Sequence, residues 1–149
     1  MTLEKATSWL KFASWVLIGF GVVSAISAHP SLNFLSRPFA QAAIWPFGTV
    51  SAAPELETRL IWAIMGGISI GWGVMIWQLA TKLLHKETET IRSILLTSTI
   101  AWFLTDSAAS ILSGAGFNAV YNAGFLALFL IPVWRPITSN KASTNRAIA

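Results

Sequence analysis

Asp106 is the residue whose setting most invites chemistry: it sits deep in a run, from Ser93 to Ser113, that is otherwise free of charge. If that run lies in lipid, an ionisable side chain there costs at least ~2.5–3.5 kcal/mol on insertion scales. It should therefore face other helices and be hydrogen-bonded. The sequence supplies partners. Only Ser113-Gly114-Ala115-Gly116 separates this run from the next apolar one, so the two should fold back as a tight antiparallel hairpin. Reflection about Gly114 sets Asp106 opposite Asn122 and Ser110 opposite Asn118. Within each helix the paired residues are four apart and share a face. At 1.5 Å per residue the cluster would lie about 12 Å from the turn. Tyr121, Thr99 and Ser69 could extend it.

Three readings of this cluster stay open. One is a site for a proton, a cation or a small polar group reached from outside. The second is a structural network holding two helices in register, at about 0.6–2 kcal/mol per hydrogen bond. The third pairs Asp106 with Arg59, reaching inward from the outer mouth.

The remaining inventory excludes a good deal. There is no cysteine, which removes disulfides, thiolate metal sites, cysteine nucleophiles and iron–sulfur clusters. His29 and His85 follow the ends of the first and second apolar runs and should fall on opposite sides of a membrane. They could not jointly ligate a haem or metal. No glycine-rich phosphate loop, no Ser/His/Asp set, no intramembrane lysine and no arginine ladder is present. With so poor an acid–base inventory no enzymatic activity is expected, and neither a cofactor nor a metal site.

The elements that must position Asp106 are four apolar stretches, each near the ~20 residues that cross a ~30 Å hydrocarbon core. They run from about Trp9 to Ala28, Arg59 to Leu84, Ile91 to Ser113 and Phe117 to Trp134. The chain has 149 residues, 54% of them hydrophobic and only 11% charged, and a mean hydropathy of +0.63. Soluble domains carry about 25% charged residues. The net charge of +4 does not indicate nucleic-acid binding, because the basic residues lie beside apolar runs and not on one polar face. Lys5 and Lys11 precede an apolar run ending Ser24-Ala25-Ile26-Ser27-Ala28, a pattern also found in cleaved secretory signals. The stretch from Phe12 to Ala28 is long for a signal core, so the first helix is expected to be retained.

Lysine and arginine placement sets the orientation. Four crossings put Lys5, Lys11, Lys82, Lys86, Arg92, Arg135, Lys141 and Arg146 on one side, with Arg37 and Arg59 on the other. The first side should be cytoplasmic, with both chain ends there and the bilayer an inner (plasma) membrane. The outer loop, about Pro30 to Thr58, holds an apolar middle, Arg37 to Gly48, that predicts a short segment lying on the membrane face, as an anchor or as a lid over the outer mouth. The tail after Pro136 is polar and rich in small residues, and is expected to be mobile.

Of eight tryptophans, Trp9, Trp77, Trp134, Trp45 and Trp62 fall near the expected boundaries and read as an interfacial belt. Trp15, Trp72 and Trp102 sit deeper, as packing residues or as the lining of a pocket for a flat ligand. Smooth seams predict close packing. Gly67 and Gly71 form a GxxxG pair, and Ser69 with Gly73 repeats the spacing one step round. Thr97, Ala101, Thr105, Ala109 and Ser113 make a ridge on the third helix, while the first adds Gly21 and Ala25. These seams fit either a partner chain or the protein's own bundle.

The run Gly66-Gly67-Ile68-Ser69-Ile70-Gly71-Trp72-Gly73, with Ala101-Trp102-Phe103-Leu104-Thr105-Asp106-Ser107 followed by Asn118 and Asn122, resembles small four-span proteins of bacterial inner membranes. The resemblance covers most of the chain and implies a fold and a location, but no activity. The expectation is an all-α, integral membrane, antiparallel four-helix bundle with a short interfacial segment. Its partners are the lipid bilayer and either further copies of itself or a larger membrane complex, as an accessory subunit. The alternative is a small carrier or sensor acting at Asp106 and Asn122.

Overall fold

A computed structural model describes residues 1–46 and 48–138, and every regular element among them is helical. Helix α1 spans Leu3–Ser27, opened by the Thr2 hydroxyl accepting from the Lys5 N–H at 3.4 Å. A 3-10 turn at Pro30–Leu35 and helix α2, Arg37–Ile44, follow. Helix α3 spans Leu56–Gln78 and continues into a π-turn, Leu79–Leu83, closed by the Leu84 N–H on the Leu79 carbonyl at 2.9 Å. Helix α4 is Thr88–Leu112 and α5 is Asn118–Leu130. Among the described residues, three helices are long and apolar enough to cross a membrane: α1, α3 with its π-turn, and α4.

Helix α5 is the exception. Its 13 residues reach only about 20 Å. Pro132 is the physical reason: it lacks the N–H that would continue the ladder and its ring crowds the preceding turn. The carbonyl orphaned by Pro132 belongs to Leu128, four residues back. It accepts instead from the Trp9 indole N–H of α1, at 2.8 Å. The turn that follows is held by the Arg92 guanidinium of α4, which donates to the Val133 carbonyl at 3.1 Å. Beyond it Thr2 and Thr138 form a parallel bridge, with Leu3 N–H on the Thr138 carbonyl at 3.1 Å and Thr138 N–H on the Met1 carbonyl at 3.0 Å. The tail expected to be mobile begins at Pro136, and its residues 139–149 lie outside the described residues.

The helices pack as two antiparallel pairs, α1 with α3 and α4 with α5. Glycine seams let α1 and α3 approach closely. A Cβ at Gly66 would stand 2.5 Å from the Ala25 nitrogen and 2.7 Å from the Gly21 carbonyl, and one at Gly73 would meet Ile18 at 2.6 Å. Apolar burial concentrates at the end where the termini meet, with Leu10, Ile76, Leu84, Ile91, Leu95 and Val133 almost fully enclosed. Large apolar side chains, among them Phe12, Ile64, Ile68, Leu104 and Leu112, remain exposed around the outside.

At the other end α2 lies across both pairs. Its Phe39 ring meets Phe20 of α1 edge-on at 5.7 Å, and Trp45, just past its end, meets Phe117 beside α5 at 5.3 Å. Side chains stitch the return segment to it. Gln41 donates to the Gly48 carbonyl at 2.7 Å and accepts from the Val50 N–H at 3.0 Å. The Arg37 guanidinium bonds the Asn33 side chain and the Ala52 carbonyl.

Candidate functional site

The polar cluster lies on the facing surfaces of α4 and α5. The turn at Ser113–Phe117 reverses the chain through Gly114, whose φ of +85° is one that side chains rarely adopt. Across it Asn118 Nδ2 donates to Ser110 Oγ at 2.9 Å, and Ser110 Oγ donates to Asp106 Oδ1 at 3.4 Å. Asn118, Ser110 and Asp106 thus form one chain of contacts.

Asn122 does not hydrogen-bond Asp106. Its Nδ2 donates to Ser107 Oγ at 3.2 Å, and the residue is only 5% exposed. Reflection about the turn locates the depth of the partner but not its side of the helix. Residue 107 lies about 100° round from 106, and that rotation decides which hydroxyl Asn122 meets. Ser107 was not among the expected site residues. The available signal was its place three residues before Ser110, on the stripe that packs against α5.

Of the residues that could extend the cluster, Thr99 and Ser69 are buried. Tyr121 is 44% exposed and turns away, its ring edge-on to Phe117 at 5.9 Å. Arg59 makes no ion pair with Asp106. Among the described residues the ion pair present is Arg92–Glu89, at 2.8 Å near the start of α4. His29 has a local duty, its Nδ1 accepting from the Ser31 N–H at 3.2 Å, and His85 is exposed.

Beside the cluster runs a chain of aromatic rings. Trp102, one turn before Asp106, meets Trp72 of α3 at 6.0 Å and Phe125 of α5 at 6.5 Å; Phe125 meets Phe20 of α1 at 5.8 Å. These edge-on contacts tie the two helix pairs together where aliphatic packing thins out. Trp72 and Trp102 therefore pack helix against helix, whereas Trp15 is 62% exposed.

The glycine-rich stretch of α3 divides between two faces. Gly66, Ser69 and Gly73 are buried against α1. Gly67 and Gly71 point outward, and a Cβ at either would meet nothing within 4 Å. The ridge on α4 is outward too, with Thr97, Ala101, Thr105 and Ala109 exposed.

Comparison with protein-family models, with curated proteins and with solved structures finds no match.

Proposed function

We propose that this chain is a helix bundle of the inner membrane whose role is to associate, with further copies of itself or within a larger membrane assembly, as an accessory subunit. The observation that carries this reading is the outward Gly67–Gly71 pair. It forms a smooth depression between exposed Ile64, Ile68 and Val74. In lipid no hydrophobic effect joins helices, so close backbone approach at such a depression is the available source of association energy. The same stretch already does this within the chain, through Gly66 and Gly73 against α1.

In this reading the chain crosses four times with both ends cytoplasmic. Two observations support it. Eight of ten basic residues fall on the side that would be cytoplasmic. The Thr2–Thr138 bridge draws the start of the chain and the end of its last helix to one place, as an even number of crossings requires. The short α5 completes its crossing with the apolar turn Ile131–Trp134 and local thinning of the bilayer.

The test is the oligomeric state of the full chain, by chemical cross-linking in native membranes and by size in mild detergent. Replacing Gly67 and Gly71 together by leucine should abolish the associated species. Gly19→Leu, at another open glycine, should leave it intact. A wild-type chain that is monomeric and uncross-linked in its membrane would refute the proposal, as would a double variant that associates like the wild type.

A further inference from the structure

The end of the bundle that holds the termini carries a cavity that neither the polar cluster nor the glycine seams explain. Pro132 stops α5 at Leu130, and the turn that follows leaves a space of about 420 Å³ lined by Met1, Leu130, Ile131, Pro132, Trp134 and Arg135. Sites for small ligands occupy ~300–1,000 Å³. Five of the six lining residues are apolar and none is acidic. Ile131 and Trp134 are 50% and 65% exposed, so the rim faces the surroundings of the helices. Arg135 is exposed, and among the described residues its guanidinium makes no ion pair. Arg92, the other cation beside this turn, is already committed to Glu89 and the Val133 carbonyl.

We propose that this cavity binds one anionic phospholipid, with an acyl chain against Leu130, Ile131 and Pro132 and the phosphate at Arg135. The lining selects the chain. So apolar a space offers ordered water too few polar partners, whereas hydrocarbon fills it without that cost. Depth selects the headgroup region, because an indole such as that of Trp134 settles at headgroup level, and Arg135 is the next residue. A guanidinium matches a phosphate with two parallel N–H donors. Charge selects the anionic class. The end with the termini has eight basic residues against three acids, Glu4, Glu87 and Glu89, while the outer segment has two of each, Arg37 and Arg59 with Glu55 and Glu57. Basic pockets at the cytoplasmic ends of membrane helices hold anionic headgroups. The site rests on the membrane placement proposed above, with the termini at the inner face, and not on association.

The test is titration of the full chain in neutral detergent with phosphatidylglycerol or phosphatidylcholine carrying the same brominated acyl chains. Bromine quenches a nearby indole, and the difference between the wild type and Trp134→Phe isolates the Trp134 signal. Phosphatidylglycerol should quench it saturably, with a half-point at least about fivefold below that of phosphatidylcholine. Arg135→Gln should erase that difference. Lys86→Gln, at an exposed cation of the same end that does not line the cavity, should leave it unchanged. Inorganic phosphate should not compete. Equal half-points in the wild type overturn the proposal, as does an Arg135→Gln variant that still discriminates. Equal loss in Lys86→Gln would assign the preference to diffuse surface charge, and competition by inorganic phosphate would assign it to a free anion; either rejects the lipid site. Equal quenching of Trp134 by both lipids leaves the membrane placement standing, whereas no quenching of any tryptophan by either lipid counts against that placement itself.

Discussion

Pro132 ends α5 and leaves the Leu128 carbonyl without its helical donor, and Trp9, distant in sequence, supplies the missing N–H at 2.8 Å. An unmet carbonyl in an apolar setting costs about 1–3 kcal/mol. Trp9→Phe keeps most of the ring and removes the donor, so it should destabilise the bundle by roughly that amount in a denaturant titration in micelles. The cause can be isolated. In a Pro132→Ala background the backbone regains an N–H for Leu128, and the same Trp9→Phe change should then cost markedly less. Equal costs in both backgrounds would assign the effect to ring packing. The cluster on α4 offers a second comparison at this scale. Among the described residues Ser107 is the sole hydrogen-bond partner of the buried Asn122 side chain, so Ser107→Ala should cost about 1–3 kcal/mol. Tyr121 is outward with no hydrogen bond among the described residues, and Tyr121→Phe should change stability by less than about 0.5 kcal/mol.

At the scale of the elements, one glycine-rich helix presents two faces with opposite sensitivities. Gly66 lies against the α1 backbone, where an added Cβ would meet the Ala25 nitrogen at 2.5 Å. Backbone atoms cannot swing aside, so Gly66→Ala should push α1 and α3 apart and cost about 1–3 kcal/mol. Gly67→Ala adds its methyl to space that is open within the single chain, and in a detergent that keeps the chain monomeric its unfolding midpoint should stay with the wild type or rise slightly. Should Gly66→Ala prove as stable as Gly67→Ala, the close α1–α3 contact is wrong. The sequence announced that this helix packs tightly, because its small residues recur at four-residue spacing. It did not reveal which glycines face inward, since Gly66 and Gly67 differ by one residue and only a neighbour's position separates them. The same holds for Asp106. Its depth and the Ser110–Asn118 pairing follow from the length of the turn, but Asn122 meets Ser107 because the facing surfaces are rotated by one residue. The apolar runs do not mark the helix ends. Helix α1 begins at Leu3, ahead of the run from Trp9, where Thr2 caps it, and α5 ends at Leu130, inside the run to Trp134, at Pro132. The cap and the proline were both visible as residue types; what could not be read was that Trp9 and Arg92 would make so early a stop tolerable.

For the whole molecule, the question is how two helix pairs with thin aliphatic packing between them hold a fixed arrangement. The aromatic contacts from Trp72 to Phe20, and α2 laid over Phe20 and Phe117, join the pairs at one end. The Thr2–Thr138 bridge and the Trp9–Leu128 hydrogen bond join them at the other. Those ties make a statement about topology that can be checked directly, since a chain with no cysteine gives a silent background for single introduced thiols. Ser8, Glu87 and Pro136 are exposed at the end that holds the termini, and Thr49 is exposed in the outer segment. With four crossings, a membrane-impermeant maleimide applied to intact spheroplasts should label Thr49→Cys alone. Permeabilised membranes should label all four variants. Pro136→Cys separates the alternatives. If α5 failed to cross, Pro136 would be left on the outer side with Thr49 and would react without permeabilisation. The bridge to Thr2 would then have to be absent in the membrane, because Ser8, one turn into α1, would remain protected inside.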